Sequence, residues 1–227
     1  MIEKFDGFPP ATFQFLRGLC DNNPKEWFEL HKSDYQNYVL KPLQSLAAGL
    51  GPLMLSIDPD IEVTPSLNKT IARIYRDTRF SKDKSPYKTS HWITFKRSKI
   101  EWVDKPAFFI EISPYSYRYG MGFYSASRET MDRFRKGIDS HPAKFLSATS
   151  FFKKQRVFSI EGDEYKRPLK PDLPEELQRW YNRKNLYLVS NRQVEGGSIE
   201  QEIFSELVSG FQTIAPFYEY LRKVATY

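Results

Sequence analysis

Apolar positions along the chain fall first into helical spacing, then into strand alternation, then into helical spacing again. Phe13, Leu16 and Leu19-Cys20 share one helical face, bounded by Pro9-Pro10 and by Asp21-Asn22-Asn23. Asn23-Pro24-Lys25-Glu26 reads as the next helix start, with Asn as N-cap, Pro at the first helical position and Glu at the third. The stretch beyond carries Trp27, Phe28 and His31, then Tyr35, Tyr38 and Val39, then Leu43, Leu46, Leu50 and Leu53. Trp27 lies on the apolar face and is expected in the core. Pro42 is expected to kink or split this helix, and Asp58-Pro59-Asp60 closes it.

From residue 61 the period changes. Ile71-Ala72-Arg73-Ile74-Tyr75-Arg76 alternates as a half-buried strand does, and His91 to Lys96 reads as another. Ala107 to Ser113 is the clearest strand, rich in aromatic and β-branched residues and ended by Pro114. A further strand is expected around Tyr117 to Tyr124, where Gly120 and Gly122 allow a bulge or a close backbone approach. Helices return over Ser127–Ile138, from Ser140-His141-Pro142 through Thr149, and from Pro174 to about Asn182. Leu186 to Val189 reads as a strand. Ser198-Ile199-Glu200-Gln201 fits a capping box ahead of a helix that presents Ile203, Leu207 and Phe211, with Pro216 expected to interrupt it. Helices, then strands with short connections, then helices predict an α+β fold, an antiparallel β-sheet packed by helices from both ends of the chain. No internal repeat or low-complexity linker breaks the sequence, and Arg167 to Pro171 reads as an irregular connection, so residues 1–227 are expected to form a single domain.

The composition suits a folded domain: 40% of the 227 residues are hydrophobic, 27% charged and 16% aromatic. No apolar run approaches the roughly 18–20 residues of a membrane span. The start, Met1 to Asp6, has no basic stretch followed by an apolar one, so a cytoplasmic protein without secretory signal or membrane partner is expected. The single cysteine, Cys20, excludes an internal disulfide and a cysteine-based zinc cluster, and it reads as a small buried hydrophobe. The net charge is +6. Lys69 to Lys99 holds ten Lys/Arg and two Asp, a net +8, so the remainder is 6 − 8 = −2. The basic character belongs to one segment.

That segment, Arg73-Ile74-Tyr75-Arg76-Asp77-Thr78-Arg79-Phe80-Ser81-Lys82-Asp83-Lys84-Ser85-Pro86-Tyr87-Lys88-Thr89, carries the chemistry. Strand alternation puts Arg73 and Tyr75 on one face with Arg76 opposite, and beyond Asp77 the chain must turn. Arg73, Arg76, Arg79, Lys84 and Lys88 would surround an anion, with Thr78, Ser81 and Tyr87 supplying hydroxyls. Arginine forks, lysine point charge and hydroxyl donors together suit a phosphate. Asp77 and Asp83 neutralise only part of the cluster, and the interleaved Tyr75, Phe80 and Tyr87 would anchor the loop to a core. The bland alternative is a solvated loop with surface salt bridges. Candidate proton-transfer groups are His91, directly after the basic loop, Asp77, and Glu111, set within an apolar strand. Glu111 would otherwise pair with Arg73 or Arg76. The histidines His31, His91 and His141 are far apart, no metal site is expected, and no phosphate-loop, dinucleotide, zinc-protease or nucleophile-elbow motif is present.

Asn23-Pro24-Lys25-Glu26-Trp27-Phe28 with His31-Lys32, the run Arg73 to Thr89, Ala107 to Pro114, Gly122-Phe123-Tyr124 and the stretch Pro216 to Leu221 resemble domain-of-unknown-function family 2461. The likeness covers nearly the whole chain. It implies a mainly bacterial, single-domain protein without an established activity, and it brings no catalytic residues. Thr89-Ser90-His91-Trp92 is a modest departure from the pattern, and the match loosens around Arg156 to Pro171.

Three function classes remain open. The first is a binding module for a phosphate-bearing ligand, nucleotide or nucleic acid, whose stacking surface Tyr115, Tyr117, Tyr119 and Tyr124 would extend unless they simply pack in the sheet. The second is an enzyme acting on a phosphorylated or carboxylated small molecule, which a concave pocket and a carboxylate of raised pKa would favour. The third is a structural or interaction protein whose charge cluster is paired internally. Cofactor and oligomeric state stay unassigned.

Overall fold

A computed structural model describes residues 4–79, 82–97, 104–123, 126–194 and 198–224. The first helices are α1 (Pro10–Asp21), α2 (Lys25–Leu30) and the single turn α3 (Lys32–Asp34). A π-helical turn, Tyr35–Leu40, then leads into α4 (Lys41–Ile57). The strands β1 (His91–Phe95), β2 (Pro106–Ile112) and β3 (Ser116–Phe123) follow. Next come α5 (Arg128–Ser140), α6 (Pro142–Ala148), β4 (Ser159–Glu161), α7 (Glu175–Tyr181), β5 (Tyr187–Gln193) and α8 (Ile203–Val224). The strands form one antiparallel five-stranded sheet in the order β1-β2-β3-β5-β4, so the α+β class read from the sequence holds. No helix among the described residues is long and apolar enough to cross a membrane.

The chain clusters into two compact units, the first comprising Met1–Phe95, Phe109–Arg118 and Asn191–Val208. Its core is built by the inner faces of α1 and α4, with Leu16, Leu19, Leu46 and Leu50 fully buried, and by Ile93, Phe95, Ile110 and Ile112. The second unit comprises Lys96–Phe108, Tyr119–Ser190 and Ser209–Tyr227. Its core is aromatic: Phe108 stacks on Tyr218 at 4.7 Å, and Trp180 packs edge-on against Phe145 at 5.6 Å. Buried Arg135 donates to the carbonyls of Tyr181 (2.9 Å) and Arg183 (2.6 Å), tying α5 to the end of α7. Gly120 and Gly122 do mark a close backbone approach: a Cβ on Gly120 would lie 1.9 Å from the Leu188 carbonyl oxygen.

Several local expectations are corrected. Pro216 does not interrupt α8, which runs through it. The Ser198 capping box does not form: the Ser198 hydroxyl bonds Glu200, Ile199 pairs with Phe8, and the helix begins only at Ile203. The long second helix is broken earlier than Pro42, at α3 and the π turn, while Pro52 sits inside α4. Ile71–Arg76 makes isolated bridges instead of a continuous strand. The strand β4 had no periodic signal, being three residues long. Cys20 is exposed, because it falls beside the buried stripe of α1 and not within it. Trp27 is half-buried, stacked on His31 at 4.0 Å, and Phe28 takes the buried place.

Candidate anion-binding site

The basic segment folds as two short arms and a tip. Tyr75 bridges Tyr87, the Arg76 N–H donates to the Pro86 carbonyl (2.8 Å), and the Lys88 N–H donates to the Ile74 carbonyl (2.8 Å). The base of the first arm is tied to β1: Ala72 N–H donates to Trp92 (3.0 Å), and Thr94 N–H donates to Thr70 (2.7 Å). Alternation buries Ile74 and leaves Arg73 and Tyr75 exposed. Tyr87, expected to offer its hydroxyl to a ligand, instead buries its ring in a stack on Phe28 at 4.3 Å.

The outer edge of the second arm is completed from α1's end. Asn23 does not cap α2, whose N-cap is Pro24 without a side-chain bond. Its amide instead accepts from the Tyr87 N–H (2.9 Å) and donates to the Tyr87 carbonyl (3.2 Å), as a neighbouring strand would. The same Nδ2 reaches the Leu19 carbonyl at 3.1 Å. The Asn-Pro pair signals a helix start, and its partner lies 64 residues away, so the sequence held no sign of this clamp.

At the tip, the acids are already engaged. Asp77 accepts from Arg79 Nε (3.0 Å) and Nη2 (2.7 Å), and these bonds, with the Arg79 backbone N–H, pull its carboxyl down to about 2. Asp83 accepts from the Ser85 N–H (2.9 Å) and hydroxyl (2.7 Å), which lower its pKa, and it also holds Arg76 Nη2 at 3.2 Å. Lys84 donates to the Thr78 carbonyl (2.7 Å). Phe80 and Ser81 lie outside the described residues. The Asp77–Arg79 pair is largely in water and contributes little to stability.

Two of the six cations from Arg73 to Lys88 therefore have carboxylate partners among the described residues, Arg76 and Arg79. Arg73 and Lys88 do not, and they lie together: Lys88 Nζ donates to the Arg73 carbonyl at 3.2 Å. Burial, then the charges of Arg73 and Arg76, pull the Lys88 pKa down. Arg76 turns inward and donates to the Tyr87 carbonyl (3.4 Å), while its buried Nε finds no partner among the described residues.

Behind this face lies His91, buried on β1, its Nε2 without a partner among the described residues. Desolvation, then the nearby Lys88 charge, hold its pKa at about 3, so the ring is neutral at neutral pH. Tyr35 packs 5.7 Å from it, and burial, then Tyr75, raise its hydroxyl to about 12.

The remaining candidates are placed elsewhere. Glu111 is buried on β2 and pairs with Arg118 Nε, not with Arg73 or Arg76. The hairpin turn that bonds Ser113 N–H to Ser116 (2.8 Å) brings Glu111 and Arg118 across from each other. The Arg118 guanidinium also lies over the Trp92 ring at 5.1 Å. His31 donates through Nδ1 to the Trp27 carbonyl (2.8 Å), and His141 occupies the N-cap position of α6 without a side-chain bond to it. Among the described residues no cluster of three metal-ligating side chains forms. Tyr119 is buried, Tyr117 donates to Glu206 (2.9 Å), Tyr115 is exposed, and Tyr124 lies outside the described residues.

Residues 11–220 match a family model described as a conserved hypothetical protein. A comparison with curated proteins gives no match.

Proposed function

The chain belongs to the DUF2461 family of conserved hypothetical proteins, and from that premise we propose that it binds a phosphate-bearing anion through the open face of the 73–88 segment. One observation carries this reading: Arg73 and Lys88 lie together and neither forms an ion pair with a carboxylate among the described residues, while burial, then the charges of Arg73 and Arg76, lower the Lys88 pKa. Cations held together against repulsion need a counter-charge, and an incoming anion would supply it. Arg73, Lys82 and Lys84 are exposed, and such an open face suits binding better than the enclosed chemistry of an enzyme. The candidate carboxylate of the segment, Asp77, has a lowered pKa, the opposite of what a general acid requires. The internally paired, structural reading draws on the Asp77–Arg79 and Asp83–Arg76 pairs, but these include neither Lys88 nor Arg73, whose charge reaches Asp77 without an ion pair.

Titration with pyrophosphate, nucleotides and oligonucleotides at two salt concentrations tests the proposal. Arg73→Ala and Lys88→Ala are each expected to weaken binding by roughly tenfold or more, the scale of one charge-assisted hydrogen bond. Arg79→Ala, whose guanidinium Asp77 occupies, is expected to change it by less than about threefold. Arg73→Ala should not lower thermal stability without ligand, because it relieves repulsion, whereas Lys88→Ala also loses the bond to the Arg73 carbonyl. A wild-type protein that binds none of these anions, or destabilisation by both variants, would return the segment to a structural role.

A further inference from the structure

The 73–88 face presents an aromatic ring as well as charge. Tyr75 is 51% exposed, yet its ring is backed by Phe28 at 6.4 Å and by Tyr87 at 5.4 Å. Those supporting rings are buried, so Tyr75 is held in place and open on its outer side. A ring already fixed loses little freedom when a second ring stacks on it. Alternation along the arm puts Arg73 on the same exposed side, about 7 Å from Tyr75. The register sets Lys88 opposite Ile74, on the other side of the arms, and its Nζ reaches the Arg73 carbonyl. Arg73 and the stacking surface of Tyr75 are therefore separated by about the span between the phosphate and base of one nucleotide.

On the anion-binding reading above, we propose that the ligand is a nucleotide unit, its base stacked on the open face of Tyr75 and its phosphate held by Arg73 and Lys88. A sugar phosphate or an inorganic anion would satisfy the cations but leave the ring in water. Stacking needs no hydrogen-bond match, so every base would be accepted. Further along the segment Lys82 and Lys84 are exposed, with no carboxylate partner among the described residues, and Lys84 donates to the Thr78 carbonyl. They would meet neighbouring phosphates if the unit belongs to a single strand, and would contribute nothing to a free mononucleotide.

Dissociation constants of wild type, Tyr75→Ala and Tyr75→Phe for ribose 5-phosphate, adenosine 5′-monophosphate and a six-nucleotide oligo-adenylate test this. Tyr75→Ala is expected to weaken the two base-bearing probes by roughly five- to a hundredfold and to leave ribose 5-phosphate unchanged. Tyr75→Phe keeps the ring and should bind all three as wild type does. Tighter binding of the oligonucleotide than of the mononucleotide, lost steeply with salt, would assign the unit to a single strand. Equal binding of the two would assign it to a free nucleotide. The inference is overturned if wild type binds adenosine monophosphate no better than ribose 5-phosphate, or if Tyr75→Ala weakens all three alike. Either result leaves anion binding standing, whereas failure of wild type to bind any of the three removes both.

Discussion

Asn23→Ala tests whether the basic arms are held by the amide clamp or by their own bridges. The substitution removes three hydrogen bonds: to the Tyr87 N–H (2.9 Å), the Tyr87 carbonyl (3.2 Å) and the Leu19 carbonyl (3.1 Å). The Tyr87 carbonyl keeps a weak donor in Arg76 Nη2 at 3.4 Å, but the Tyr87 N–H loses its partner. One part-buried donor left unsatisfied costs about 1–3 kcal/mol, and the other lost bonds add about 1 kcal/mol, so a loss of about 2–4 kcal/mol is expected. For a chain of 227 residues that is a fall in Tm of about 4–16 °C. Urea unfolding followed by tryptophan fluorescence, with calorimetry, would measure it, and faster amide exchange at Tyr87 would localise it. Asn23→Asp makes the test specific. A carboxylate keeps an acceptor for the Tyr87 N–H but turns a second oxygen toward two carbonyls, so Asp should rescue only part of the loss. At a helix N-cap, Asp and Asn are nearly equivalent. An Asn23→Asp protein as stable as wild type, with Asn23→Ala costing less than about 1 kcal/mol, would refute the clamp and restore the cap.

Two further outcomes follow from buried groups. In the folded protein His91 titrates at about 3, and in the unfolded chain near its ordinary 6.5, so the unfolded state takes up the proton first as pH falls. Stability should therefore be full above about pH 6.5 and decline below it, by up to about 1.4 kcal/mol per pH unit, continuing toward pH 3. Chemical unfolding between pH 6.5 and 4.5, above most carboxylate titration, would show the slope, and His91→Leu should flatten it; an unchanged slope would mean that the imidazole is not buried neutral. Arg118→Ala leaves the Glu111 carboxylate buried without its cation and should cost about 1–3 kcal/mol, with Glu111→Gln in the same chain recovering part of it. Strict additivity of the two substitutions would show that the pair does not interact.

The helices and strands with long periodic stretches were legible because burial of a stripe or a face imposes spacing on the chain itself. That is why α1, β1, β2, α5 and the bulk of α8 appear where the apolar residues recur. The glycines of β3 were readable for a similar reason, since only a residue without Cβ tolerates the Leu188 carbonyl so near. Concentration of charge in residues 73–88, and the side on which Arg73 and Tyr75 fall, also follow from composition and alternation alone. Tertiary structure decided which of those charges are spoken for. Asp77 takes Arg79 and Asp83 takes Arg76, while Glu111, assigned by sequence to Arg73 or Arg76, finds Arg118 across its own hairpin. It also turned Asn23 from a cap into a clamp, and Tyr87 from a hydroxyl donor into a buried support for Tyr75. Periodicity records which side of an element meets the core, because every turn or pleat repeats that demand. It carries nothing about which polar group meets which, because such pairs form once, between residues that only the folded chain brings together.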